Sequence, residues 1–212
     1  GIAVAISLYL IQQKIQHGPL RLIFTVDEET NMTGALSLSA DHVKDAKYVI
    51  NCDSESIHVI CVASAGSCHM EFTRDLHRCA PTGDTALTVR AHALAGGHSG
   101  EVINEGRGNA IKAVADVLYR LSEGGVEYAL ADYKGGVAAN AIPSDASAVV
   151  VVAAKDIDRV KATVAAAEKD FHLVYGETDP NAVFEVTPTD LPKSVFSAED
   201  TTSIVDVVNL LH

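Results

Sequence analysis

The stretch LRLIFTVDEETNM, residues 20–32, runs from a nearly continuous apolar segment straight into Asp27, Glu28 and Glu29. An apolar run with β-branched residues suits a strand buried on both faces. KYVINCD, residues 47–53, repeats the pattern and closes on Asp53. Ahead of the first run, Ile2, Ile6, Leu10, Ile11 and Ile15 recur at helical spacing, and Gly18-Pro19 stops that helix. A short helix is expected around residues 32–38. Helix, strand, helix, strand with apolar strands is the rhythm of a mainly parallel sheet in a three-layer α/β arrangement. Ligands of such sheets bind beyond the carboxyl ends of the strands, where both acidic stops fall.

The rhythm changes near residue 62. SCHMEFTRDL and TALTVRAHAL alternate polar and apolar residues, as half-exposed strands do. AGGHSGE follows, then a helix over 109–121 with Ile111, Val114, Ala115, Leu118 and Leu121 on one stripe. VEYALADY and SAVVVVAA read as strands around the GGVAANAIP loop. Residues 156–171 read as a helix, AVFEVTP as a strand, and residues 198–211 as a last helix behind Ser197 as N-cap. This pattern is an α+β sandwich. Domains are expected at 1–62 and 63–212, the second incomplete at its C-terminal end and the first with too few strands to close a core of its own.

A net charge of −12 argues against nucleic acid or an anionic membrane as partner. No apolar stretch approaches the ~20 residues of a membrane span. Cysteines at 52, 61, 68 and 79 form no CxxC pair, and reduced, mostly buried thiols in a cytoplasmic protein are expected.

Each candidate site residue has two readings. Glu28 and Glu29 either offset the positive end of a helix dipole or serve a metal hydrolase, one holding the cation and the other taking a proton from metal-bound water. Asp53 is either a turn residue or a second oxygen ligand. His98, in Gly96-Gly97-His98-Ser99-Gly100, is either incidental to a surface turn or an imidazole presented by glycines that allow unusual backbone. An anion-binding glycine loop is a weaker rival, because neither GxGxxG nor GxxxxGK[ST] is present. Asn140, in NAIP, commonly serves its own backbone in such a turn.

TVDEETNMTGA, VINCDSE, AGGHSGE with GRGNA, and GGVAANAIP, in that order, resemble the zinc-dependent exopeptidase family of aminoacylases and dipeptidases, on the aminoacyl-histidine dipeptidase side. The resemblance runs from residue 1 to about residue 154. It implies a catalytic domain over 1–62 and a lid that dimerises over 63–212. Glu28 is then the general base, Glu29 ligates one zinc and Asp53 the other. His98 reaches from the lid into the partner subunit's site, and Asn140 binds substrate. The family's upstream HxD, its bridging Asp and its final His have no counterpart here. The chain is therefore expected to be an internal piece of a cytoplasmic, dizinc, homodimeric dipeptidase cutting Xaa-His peptides, holding zinc weakly or not at all and inactive alone. The alternative is a dimerisation and substrate-capping module with vestigial carboxylates.

Overall fold

The computed structural model describes the chain apart from Thr30, residues 54–57, residues 64–69 and His212. Two compact units divide it, Gly1–Glu71 and Phe72–His212. Cys68 lies outside the described residues, as do parts of the SCHMEFTRDL and VINCDSE stretches.

The first unit holds helix α1 (Ile2–Gln12), the short helix α2 (Thr33–Leu36) and a 3-10 turn at Ala40–His42. The parallel sheet expected here does not form among the described residues. Residues 20–26 and 47–53 carry no strand, and apart from the half-buried Leu22 their side chains are exposed, Phe24 at 53% and Ile50 at 82%. The physical reason is that a strand is stabilised by its ladder, not by its own hydrophobicity. Neither run has a ladder partner among the described residues. Helix α1 likewise buries none of its side chains. Its apolar residues occupy every face, so no single stripe directs it onto a core. Arg21 anchors its segment locally through a two-pronged pair with Asp45, at 2.7 and 3.1 Å.

The second unit contains β1 (Arg78–Cys79), β2 (Thr85–His92), β3 (Gly97–His98), α3 (Ser99–Val102), α4 (Ala110–Glu123), β4 (Tyr128–Gly135), β5 (Ala141–Ile142), β6 (Ala146–Val152), α5 (Ile157–Tyr175), β7 (Val183–Thr189), β8 (Val195–Phe196) and α6 (Ala198–Leu210). Four strands form one sheet in the order β4-β6-β2-β7, every ladder antiparallel. The succession β2-α4-β4-β6-α5-β7 in that order is the ferredoxin-like βαββαβ arrangement. The strands and helices expected over 85–211 are all found, as a two-layer α+β unit.

Alternation decides which side of the sheet meets the helices. Leu87, Val89 and Ala91 of β2, with Ala148, Val150 and Val152 of β6, share the main core with Val114, Leu118 and Leu121 of α4 and Val160, Val164 and Phe171 of α5. Asn109 caps α4 by accepting from the Lys112 N–H at 3.2 Å. The helix stops in a Schellman turn, with Gly125 at φ +72° and the Val126 N–H donating back to the Leu121 carbonyl at 2.9 Å. On the opposite face Ala86, Ala131 and Val151 pack under Val195 of β8. The ladder of β4 is irregular between Leu130 and Asp132, and the carbonyl of Ala131, between them, accepts from Arg78 at 3.1 Å. Ser197 caps α6 as expected, accepting from the Asp200 N–H at 3.1 Å.

The thiols depart from expectation. Cys52, Cys61 and Cys79 are free and exposed rather than buried. Cys52 lies within the 47–53 run and Cys61 in a segment that likewise carries no strand, and Cys79 lies on the two-residue ribbon β1–β8.

Candidate functional site

The glycines of the AGGHSGE loop set its path. Gly96 sits at φ +60° and Gly97 at φ +123°, conformations that side chains other than glycine's rarely accept. A Cβ on Gly97 would also come within 2.6 Å of Arg107 Nη1. That guanidinium donates to the Gly96 carbonyl and is gripped from the other side by Glu105, at 2.6 and 2.9 Å. The loop emerges as β3, which pairs antiparallel with β5 so that His98 faces Ala141.

This pairing sets His98 beside Asn140. The Asn140 amide Nδ2 lies 3.2 Å from His98 Nε2. With the amide donating, Nε2 is the bare nitrogen and the ring proton sits on Nδ1. Asn140 is fixed from behind, because its carbonyl accepts from both the N–H and the hydroxyl of Ser99, at 2.7 and 2.9 Å. Gly100 gives the ring its room: a Cβ there would lie 3.0 Å from His98 Cε1. Both side chains are exposed, and an open cleft of about 600 Å³ lies beside them, lined by Ser99, Ile103, Ile111, Val137, Ala141 and Pro143 among others. A polar pair next to an apolar cleft can hydrogen-bond a carbonyl while apolar walls hold the remainder of the molecule.

The acids belong to the other unit. Asp27 and Met32 both adopt left-handed backbone, at φ 62° and 52°, and close a tight loop in which the Met32 N–H donates to the Asp27 carbonyl at 2.7 Å. Thr33 Oγ1 donates to Asp27 Oδ2 at 2.8 Å. Glu28 and Glu29 lie exposed in this loop. They do not occupy a helix first turn, since α2 begins only at Thr33 and carries no acid there. The helix-dipole reading of the pair is thereby corrected. Asp53 is exposed, with its N–H donating to Asn51 Oδ1 at 3.3 Å. Among the described residues no group of three or more His, Cys, Asp or Glu is arranged to hold a metal ion. Glu28, Glu29 and Asp53 thus do not assemble a site of their own. Zinc wants about four close N, O or S donors, and carboxylates such as Glu29 and Asp53 are suitable donors but too few to hold it by themselves. The second unit does bring together what the sequence kept apart, His98 and Asn140. Arg107 stands inside GRGNA, and its two-residue spacing from Glu105 is the one sequence signal of its role in the loop.

With this geometry in view, likeness to known proteins has a structural meaning. Residues 91–179, from the end of β2 past α5, match the peptidase dimerisation domain. Residues 91–179 thus resemble that class of domain, within the fold just described. More particularly, the chain is similar to two dipeptidases. Over 99% of its length it is 31% identical to the cytosol non-specific dipeptidase of Escherichia coli (strain K12). Over 98% of its length it superposes on the crystal structure of aminoacylhistidine dipeptidase from Vibrio alginolyticus, with a TM-score of 0.72 and 26% identity. It spans 43% of the first protein and 42% of the second. Among the described residues no helix is long and apolar enough to cross a membrane.

Proposed function

We propose that the chain is part of a cytoplasmic, metal-dependent dipeptidase acting on short peptides of the Xaa-His type, and that residues 72–212 form its lid and homodimerisation domain. The observation that carries this reading is the His98–Asn140 pair, 3.2 Å apart on the β3–β5 ribbon and beside the cleft. The likeness to two dipeptidases over almost the whole chain supports it. In this reading His98 donates a hydrogen bond to the scissile carbonyl in the partner subunit's site, where oxyanion stabilisation is worth most. Asn140 orients the ring and contacts substrate. Glu28 is the general base, and Glu29 and Asp53 contribute oxygen donors to a dizinc centre whose other donors come from elsewhere in a longer protein.

Subunit mixing tests this. In the longer protein, His98→Ala and Glu28→Gln each abolish most Xaa-His hydrolysis, general-base catalysis alone contributing roughly 10²–10⁴-fold. Mixed one to one and allowed to exchange subunits, the two inactive variants recover about a quarter of wild-type activity, because half of the dimers are mixed and each carries one intact site. Recovery of nothing places His98 in its own subunit's site or outside catalysis. These 212 residues by themselves give no zinc-dependent turnover. A second reading, a non-catalytic dimerisation and substrate-capping module, is favoured by the lack of a three-ligand group among the described residues. Full activity of the Glu28→Gln variant would select it.

A further inference from the structure

We propose that Asp179 is a positioning residue for His98: its buried carboxylate ties together the two ends of the loop that presents the His98–Asn140 pair. The proposal rests on the reading of His98 given above. Asp179 follows α5, far from His98 in sequence, and is 1% exposed. Its Oδ1 accepts from the Ala95 N–H at 2.7 Å, and its Oδ2 accepts from the Gly108 N–H at 2.7 Å. Ala95 and Gly108 are the entry and exit of the excursion that contains Gly96, Gly97, β3, α3 and Arg107. One carboxylate therefore closes the loop at its neck.

Neighbouring contacts make the neck rigid. The Thr178 hydroxyl lies 3.1 Å from Asp179 Oδ2 and 3.3 Å from the Gly106 carbonyl. The Asp179 N–H donates to the Tyr175 carbonyl at 2.7 Å, which fixes the carboxylate to the end of α5. Gly108 rests on the core itself, since a Cβ there would come within 2.4 Å of the Phe171 ring. A buried carboxylate survives in low dielectric only when donors surround it. Among the described residues no lysine or arginine pairs with this one, so the loop's own N–H groups meet that demand. Two backbone donors held by a charged acceptor are stronger than neutral hydrogen bonds. The neck is thus built on the core, while the exposed tip carries the ring that must be aimed. Positioning of this kind matters because small misplacements of a group acting on a reacting carbonyl cost rate steeply.

The test is Asp179→Asn in the full 212-residue chain, read by amide hydrogen exchange and by the imidazole NMR resonances of His98. Asparagine keeps one acceptor and turns an NH₂ towards the other backbone donor. Exchange at Ala95 or Gly108 and across residues 96–107 should accelerate roughly tenfold or more, while Val89 and Val150 keep their protection. The His98 resonances should move towards those of an unstructured peptide. Unchanged loop exchange and unchanged His98 resonances overturn the proposal. So does protection lost equally in loop and sheet, which would make Asp179 a support of the whole fold. If the asparagine variant does not fold, Thr178→Val is read by the same two signals, and no change in either overturns the proposal. In the longer protein Asp179→Asn should lower kcat for a dipeptide and leave KM near wild type, with His98→Ala assayed beside it. An unimpaired His98→Ala variant refutes the catalytic role of His98 while leaving the exchange and resonance results to judge the neck. An impaired His98→Ala beside an unimpaired Asp179→Asn overturns the positioning role.

Discussion

Residues 1–71 and 72–212 contain apolar runs of the same chemistry and treat them in opposite ways. In the second unit Val150 of β6 and Leu118 of α4 are fully buried, each between neighbours supplied by distant parts of the chain. In the first, Ile50 stands 82% exposed in a run that reads just as convincingly as a strand. The difference lies in pairing. Residues 85–92 find β6 on one side and β7 on the other in continuous register, whereas residues 20–26 and 47–53 find no ladder among the described residues. Apolar composition supplies a driving force, but a sheet exists only where several strands can satisfy one another's backbone groups.

The strongest way to break that comparison is to cut the same chemistry from both units. Leu118→Ala leaves a cavity at the junction of α4 with the sheet and should cost about 2–5 kcal/mol. Ile50→Ala removes a side chain that touches little and should change stability by no more than about 0.5 kcal/mol. Urea unfolding of the whole 212-residue chain measures both, and a comparable loss from the two variants would show that residues 47–53 are packed after all.

The same contrast explains what the sequence disclosed. The strands and helices of 85–211 were legible because alternation, caps and glycine stops agreed: Asn109 and Ser197 stand where the helices begin, and Gly125 where α4 ends. In the first unit the apolar runs were legible and their pairing was not, since register and partners are tertiary facts. The site followed the same rule. His98 and Asn140 were visible as residues in glycine-rich turns, but their 3.2 Å approach depends on the two-residue ribbon of β3 with β5, too short to leave a periodicity. Asp179 gave less still, because nothing in the stretch ETDP announces that its carboxylate reaches back to Ala95 and Gly108.

Acid sharpens the comparison more gently. In the second unit, hydrogen bonds led by the His77 N–H hold the Asp200 carboxyl below its ordinary value of 3.8, and the Arg90 guanidinium does the same for Asp145. In the first unit Arg21 depresses Asp45 likewise, but both partners are exposed and the pair is open to screening. A carboxylate depressed on folding contributes stability that is present above its unfolded value and is lost as pH falls through its folded one. Stability of the second unit should therefore hold above about pH 4 and decline below it. Asp200→Asn should flatten that decline, and Asp45→Asn should leave it unaltered. An acid limb identical in wild type and Asp200→Asn would remove Asp200 from the account.

The smallest expected effect concerns the thiols. Cys52 and Cys61 sit in exposed segments of the first unit, and Cys79 on a paired strand of the second, with its Sγ 3.9 Å from the Phe196 carbonyl. All three should react with a thiol reagent in the native state, since accessibility and thiolate fraction set the rate. Cys79 should be the slowest, because its backbone is paired in the β1–β8 ribbon, which must open for a reagent to approach from every side. Adding urea below the unfolding transition should leave Cys52 and Cys61 unaffected and accelerate Cys79 alone. Equal rates at all three positions without urea would mean that the β1–β8 ribbon gives Cys79 no protection, and that the ordering of the second unit begins only at β2.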